Sequence, residues 1–304
     1  MPENKLKNYL LLHLIVFIWG FTAILGALIT LEAIPLVFFR MGLAVIFIVL
    51  FFLYKKKSFL LDTNGIIKFL ITGIIIAIHW IFFFKAIKVS NVSVALVTMS
   101  TGAFFTSLIE PLFFRRRIKL LEIVLGLLVI GGLYIIFNFE TQYQLGIIYA
   151  LISSFLGALF AVFNGLFVKK YDANSISLYQ LFFGTVFVAI YLYFSNGFTP
   201  TFFEIPKMDW VYLAILSSVC TAFAFITSVK VMKYLSPYTV MLTINLEPIY
   251  AIILALLIFG EKEKMNPAFY FGALIVFGVV LANGIIKNRT AIKQKIQERI
   301  KLKK

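Results

Sequence analysis

Two ionisable residues, Glu247 and His79, lie in the middle of long apolar segments. A charge at the centre of a bilayer costs roughly 2.5–3.5 kcal/mol on insertion scales, so such residues mark candidate functional sites. Glu247 could exchange a proton or pair with a substrate amine, and Pro248 could bend the helix and expose carbonyl groups. His79 could relay protons, and Trp80 could stack on a substrate. The alternative for each is a hydrogen-bonded packing role.

Polar residues in other apolar segments extend this set of substrate-binding or coupling candidates. Small polar side chains also let helices approach closely, so each of them alone is typical of a packing contact. Trp19 could contact a substrate or face lipid. The candidates are Asn245, Thr98, Ser100, Asn164 and Trp19, with Thr22 as a further cavity candidate.

Five residues near the ends of apolar segments are candidates for a gate or rim. Arg40 and Gln180 occupy corresponding positions near the starts of two segments, where an anchoring role and an anion contact are both open. Lys85 and Lys230 are either cationic rims that attract carboxylate or phosphate, or side chains that reach water along their own stems. Glu110 either pairs with an arginine of the following loop or extends to the interface.

The composition excludes a soluble protein. Of the 304 residues, 62% are hydrophobic and 13% are charged, against about 25% charged residues in soluble domains. The net charge of +15 is spread between apolar segments, which favours anionic lipid headgroups over nucleic acid as the partner. Two histidines and one cysteine leave few soft metal ligands, so we expect neither a metal site nor another cofactor.

The hydropathy pattern predicts an all-α integral membrane protein with ten transmembrane helices, since about 20 apolar residues span a bilayer. The predicted spans are residues 9–29, 36–54, 66–87, 92–114, 120–138, 146–168, 176–194, 210–232, 238–259 and 268–287. With a cytoplasmic N-terminus, the inner loops carry 14 Lys and Arg before the tail and the outer loops carry five. This bias predicts a multi-pass protein of the cell (inner or plasma) membrane with both termini in the cytoplasm.

The segment 85–110 is repeated 145 positions later, in 230–255. Aligning Glu110 with Glu247 instead would set the arginines 115–117 against an apolar run, so that alternative is rejected. An odd number of helices per repeat predicts two inverted halves, residues 1–138 and 146–287, followed by a basic cytoplasmic tail, 288–304. The matching pairs are Lys85 with Lys230, Lys88 with Lys233 and Phe114 with Phe259, and the glycine-rich runs that follow correspond with one extra residue, Gly126 with Gly272 and Gly132 with Gly278.

Several segments together resemble the drug/metabolite transporter superfamily, and specifically its EamA-type ten-helix permeases. They are FFRMGLAVIFIVLFF around Arg40, LYQLFFGTVFVAIYLY around Gln180, KVSNVSVALV, YLSPYTVMLTINLEPIYAIILALLIFGEKE and FGALIVFGVVLANG. The resemblance covers nearly the whole chain as two EamA-like repeats. One departure is that Arg115 and Arg116 stand in the first repeat where the second has Gly260 and Glu261.

The resemblance implies a secondary active transporter, commonly an exporter, of small organic metabolites such as amino acids. In proteins with inverted repeats the solute site lies near mid-membrane, and the solute crosses by alternating access to that site. A coupling proton and a homodimer are compatible with this hypothesis, which predicts no catalysis. The alternatives are a membrane-embedded lipid-processing enzyme and an anion or phosphometabolite exchanger.

Overall fold

The computed structural model of the protein describes residues 2–115, 120–279, 281–282 and 285–286, with the side chains of 2–5 and 122–123 excepted. The described chain is helical and contains no strand, which confirms the predicted all-α class. Three parts of the predictions lie outside the described residues. These are Arg116 and Arg117 of the basic cluster, the end of the tenth predicted span, and the tail 288–304.

The helices of the described chain follow the predicted spans closely, because long apolar runs fix where a helix can cross a bilayer. The exception is α1, which begins at Pro2 rather than at residue 9. The helices are α1 Pro2–Leu28, α2 Ala33–Tyr54, α3 Thr63–Val89, α4 Val92–Met99 with Gly102–Phe113, α5 Leu120–Phe139, α6 Gln144–Phe167, α7 Ala173–Phe194, α8 Lys207–Ser217 with Ala224–Val231, α9 Pro237–Ile244 with Glu247–Phe259, and α10 Pro267–Val279.

Among the described residues, eight of these helices are long and apolar enough to cross a membrane. The apolar segments Val124–Phe139 of α5 and Pro267–Val279 of α10 are shorter. Large apolar side chains cover the outside of the bundle, as Leu257 at 78% and Leu127 at 63% exposure illustrate. A continuous apolar exterior of this extent is suited to lipid rather than to water.

Local chemistry sets the helix ends and interruptions. Asn91 caps α4 by accepting from the backbone N–H of Val94, and Ser236 caps α9 by accepting from that of Thr239. The break in α9 precedes Pro248, which has no N–H to donate to the carbonyl four residues earlier. In α8 the segment Ser218–Phe223 is a π turn.

The two halves of the chain interleave. The first four helices each make their most extensive contacts with helices of the second half: α1 with α8 and α9, α2 with α7 and α8, α3 with α6 and α7, and α4 with α6 and α9. Helices α3 and α7 cross where Gly73 meets Gly184, and a Cβ added to Gly73 would lie 2.5 Å from the Gln180 carbonyl oxygen. Helices α5 and α10 meet similarly at Gly132 and Gly272.

Candidate functional site

A cavity of about 100 Å³ lies in the middle of the bundle, among α1, α2, α3, α4, α6, α8 and α9. Six of the residues predicted from the sequence line it: Trp19, Thr22, Arg40, His79, Trp80 and Glu247. The other lining residues are Phe83, Met99, Gly157, Phe160, Cys220, Phe225, Met241 and Ile244. The lining is therefore largely apolar and aromatic with a few ionisable groups, which is the usual make-up of a small-molecule site.

Arg40 is the cation of this cavity. It is the eighth residue of α2 and only 2% exposed. Its guanidinium carbon lies 3.8 Å from the centre of the Trp80 ring, and its Nε donates to Thr221 Oγ1 at 2.7 Å. Its Nη1 is buried and has no hydrogen-bond partner among the described residues. An arginine held on an aromatic face with a free N–H group is well placed to bind a carboxylate.

Glu247 contributes the opposite charge. It is the first residue of the second segment of α9, directly after the helix break, and it is partly exposed where it lines the cavity. A carboxylate in the first turn of a helical segment interacts favourably with the helix dipole. Because Arg40 lines the same cavity, a cation and an anion face one small space, which offers groups for both ends of a zwitterion.

His79 joins α3 to α6. Its Nδ1 lies 2.7 Å from the carbonyl oxygen of Ser153, and the Ser153 hydroxyl donates back to the His79 carbonyl at 2.8 Å. Because a carbonyl only accepts, Nδ1 carries the hydrogen, which leaves Nε2 of the neutral ring as an acceptor. Phe160 packs against the ring at 5.4 Å between centroids. The contacts of Nδ1 are those of a packing residue. Nε2 is an acceptor that could bind a proton or a solute.

The π turn of α8 forms one wall of the cavity. The Thr221 hydroxyl donates at 2.7 Å to the carbonyl of Leu216, five residues earlier, which accompanies the wider turn. The turn also offers the Cys220 carbonyl, which accepts from the indole N–H of Trp19 at 3.0 Å. π turns are frequent at functional sites. Neither Cys220 nor Thr221 was predicted as a site residue, because hydropathy and helical spacing carry no signal for a π turn.

Gln180 and Asn164 lie outside the cavity lining in a second buried polar cluster. Gln180 Nε2 donates to Asn164 Oδ1 at 2.7 Å and to Thr72 Oγ1 at 2.8 Å, which joins α7 to α6 and α3. Gln180 Oε1 and Asn164 Nδ2 have no partner among the described residues. Gln180 is the eighth residue of α7, as Arg40 is of α2, and each binds a threonine of the other half.

The remaining candidates cluster at the interruptions of α4 and α9. Ser100 follows the first segment of α4, and its hydroxyl donates to the Leu96 carbonyl at 3.1 Å. Asn245 holds the equivalent place in α9, and its buried Nδ2 has no partner among the described residues. The Thr98 hydroxyl is likewise buried and unpartnered. None of these three lines the cavity in this conformation.

The other rim candidates, Glu110, Lys85 and Lys230, lie in three different surroundings. Glu110 does not extend to the interface: it is 9% exposed, and its Oε2 accepts from the backbone N–H of Tyr238 at 2.9 Å, at the start of α9. Lys85 lies near the ring of Tyr149, and Lys230 lines a separate groove. Lys88, near the end of α3, donates to the Ile29 carbonyl.

A contact that was not predicted from the sequence lies at the N-terminus of α4. It is the counterpart of the contact between Glu110 of α4 and the start of α9. Glu263 accepts from the backbone N–H groups of Val92 and Ser93 at 3.0 and 2.9 Å and from the Ser93 hydroxyl at 2.7 Å. It is only 4% exposed. Glu261, the acid of the Gly-Glu motif, instead pairs with Lys264 at the surface. The backbone N–H groups at a buried helix N-terminus need hydrogen-bond acceptors, and this requirement is the signal that could have identified Glu263.

A family model and several curated relatives match this chain, and the relatives are named as uncharacterized transporters. The model of the EamA-like transporter family matches residues 6–138 and again 144–284. An uncharacterized transporter of Archaeoglobus fulgidus is 23% identical over 289 residues, which cover 90% of this chain and 96% of that protein. An uncharacterized transporter of Clostridium kluyveri is 24% identical over 235 residues, which cover 74% and 72% respectively.

The fold is shared with a solved structure. One crystal structure superimposes with a TM-score of 0.68 over 93% of this chain and 98% of the other, at 14% identity. Because the two matches of the family model together cover most of the sequence, the resemblance predicted from the sequence is confirmed. The chain belongs to the EamA-like transporter family, within the drug/metabolite transporter superfamily.

Proposed function

We propose that this protein is a secondary active transporter of small zwitterionic metabolites, with amino acids as the best-fitting class. The observation that carries the proposal is the pair of opposite charges, Arg40 and Glu247, in one cavity between the halves. Arg40 Nη1 binds the substrate carboxylate and Glu247 binds its ammonium group. Trp19, Trp80 and the phenylalanines contact the apolar part.

The size of the cavity limits the solute. An apolar cavity of roughly 150 Å³ accepts benzene, so the space of about 100 Å³ here is tight even for the smallest α-amino acids in this conformation. Larger substrates require the cavity to widen as one side opens. A buried charge without a partner is strongly unfavourable, so a zwitterion that neutralises Arg40 and Glu247 together is favoured over a neutral or singly charged solute.

Alternating access between two inverted halves is supported by their matched geometry. Helices α4 and α9 begin 145 positions apart, at Val92 and Pro237, and are interrupted 145 positions apart, at Ser100 and Asn245. The two matches of the family model, to residues 6–138 and 144–284, also support a duplicated unit. In this scheme the halves rock about the central cavity and expose it to each side in turn.

The pairing of polar clusters also supports the inverted arrangement. Arg40 of α2 binds Thr221 of α8, and Gln180 of α7 binds Thr72 of α3, which are the corresponding helices of the opposite halves. The loop charges support a cytoplasmic position for both termini. The resemblance favours export, and in this proposal a proton gradient drives it, with Glu247 as the coupling group.

Transport assays with reconstituted protein test this proposal. Proteoliposomes loaded with unlabelled amino acid are expected to take up labelled amino acid by exchange, and an imposed proton gradient is expected to drive accumulation. Glu247→Gln should lower the rate at least tenfold. The matched control is Glu204→Gln, since Glu204 is an acid of the loop before α8 and does not line the cavity.

Three results would contradict the proposal. Exchange of phosphorylated metabolites without amino acid transport would favour the anion exchanger. Turnover of a lipid extract by the purified protein would favour the enzyme. Equal rates for the Glu247 and Glu204 variants would remove Glu247 from the site.

A further inference from the structure

A second and larger cavity opens on the outside of the bundle, between α2, α8 and the start of α7. It measures about 610 Å³ and shares no lining residue with the central cavity. Its residues include Phe47 and Phe51 from α2, Asp172 and Asn174 at the start of α7, and Phe223 and Ile226 from α8. We call this cavity the α2–α8 groove.

One end of the groove is basic. Lys57, Lys230 and Lys233 line it together with the single carboxylate of Asp172. Lys57 binds that carboxylate at 3.2 Å, whereas Lys230 and Lys233 are exposed and form no ion pair among the described residues. Two lysines one helical turn apart therefore present uncompensated positive charge. They lie at the end of the bundle that the Lys and Arg distribution assigns to the cytoplasm.

The rest of the groove is mainly apolar, and the Ser218 and Thr227 hydroxyls in its lining are bonded to carbonyls of their own helix. Phe47, Phe51 and Phe223 are 37%, 38% and 46% exposed, so their rings form accessible walls, while Ile48 and Ala222 are buried at its base. Because the groove lies on the lipid-facing side of α2 and α8, these walls meet hydrocarbon rather than water when the protein is in a bilayer. A basic end joined to an apolar channel matches an amphiphile with an anionic head.

We propose that the α2–α8 groove binds one anionic phospholipid of the inner leaflet. Lys230 and Lys233 bind its phosphate, and an acyl chain lies along Phe47, Phe51 and Phe223. The inference depends on membrane insertion and not on the proposed transport activity. The π turn of α8 separates the two sites, since Phe223 lines the groove and Cys220 lines the central cavity.

Native mass spectrometry of the full chain in detergent tests this inference with phosphatidylglycerol, phosphatidylcholine and inorganic phosphate as probes. We expect one phosphatidylglycerol to remain bound at energies that remove phosphatidylcholine. The double variant Lys230→Gln/Lys233→Gln should weaken phosphatidylglycerol binding roughly 30-fold, as expected for two lysines beside an anionic surface. The control Lys55→Gln/Lys56→Gln removes the same charge from exposed residues outside the groove.

Other outcomes would overturn it. Equal retention of phosphatidylcholine would show that charge does not select the occupant, and equal loss in both double variants would show that the groove is not the site. Saturation by inorganic phosphate would identify an anion site without a lipid. A second copy of the chain that protects the groove from phosphatidylglycerol would assign it to a dimer interface.

Discussion

Replacing Glu263 by glutamine removes the charge and one of the two acceptor oxygens at the N-terminus of α4. The carboxylate accepts three hydrogen bonds of 2.7 to 3.0 Å from Val92 and Ser93. Glutamine keeps one acceptor oxygen, so at least one buried N–H loses its partner. An unsatisfied buried donor costs about 1–3 kcal/mol and a lost charge at a helix N-terminus about 0.3–1 kcal/mol. We therefore expect the free energy of unfolding to fall by roughly 1.5–4 kcal/mol.

The assay is thermal unfolding of the purified protein in detergent. At about 2.1 cal/mol/K of unfolding entropy per residue, the expected loss corresponds to a decrease in Tm of about 2–6 °C for a chain of 304 residues. The matched control, Glu261→Gln, lies two residues away and removes an exposed surface ion pair with Lys264, so its Tm should change by less than about 2 °C. Equal Tm values for the two variants would refute the capping role of Glu263.

Three further predictions concern other parts of the bundle. Gly73→Ala should destabilise the protein because its Cβ would meet the backbone of α7 at 2.5 Å. Gly131→Ala, whose Cβ would have no atom within 4 Å, should stabilise the protein by about 0.5–1 kcal/mol. Thermal unfolding compares the two variants, and a higher Tm for Gly73→Ala would contradict the packing. The hydrogen bond from Lys170 lowers the pKa of the Asp62 carboxyl. This pKa is lower in the folded state than in the unfolded state. The ionised Asp62 carboxyl therefore contributes its full stabilisation above about pH 4, and this stabilisation is lost as the pH falls through the folded-state pKa. Asp62→Asn should then show a shallower loss of Tm on acidification, and an unchanged slope would contradict this. Arg40→Lys keeps the charge but loses the planar stacking and the Nε–H bond, so substrate exchange should fall at least tenfold, and a rate near that of the wild type would show that charge alone suffices.

The positions of the helices could be predicted from the sequence because hydropathy alone determines them. The predicted span 36–54 lies within helix Ala33–Tyr54, and the predicted span 176–194 lies within Ala173–Phe194. The interruption of α9 was indicated by Pro248. That of α4 was not, because neither Ser100 nor Thr101 is a strong helix breaker.

The contacts of individual side chains could be predicted less well, because the depth of a residue in a helix does not determine which neighbour it meets. Glu247 and His79, chosen for their depth in apolar segments, both line the central cavity. Glu110, however, binds a backbone N–H at the start of α9, and Lys88 binds a backbone carbonyl of the loop between α1 and α2. Cavity residues of the π turn, such as Cys220, depend on a local distortion that no periodicity reveals.

Cysteine labelling in intact cells tests the inverted arrangement most directly. Lys56→Cys lies between α2 and α3, and Lys207→Cys lies at the start of α8; both positions are exposed, while the native Cys220 is buried. If the halves are inserted in opposite directions, a membrane-impermeant maleimide will label residue 207 from outside and residue 56 only after permeabilisation. Labelling of both positions from the same side would contradict the two-halved architecture and the transport mechanism built on it.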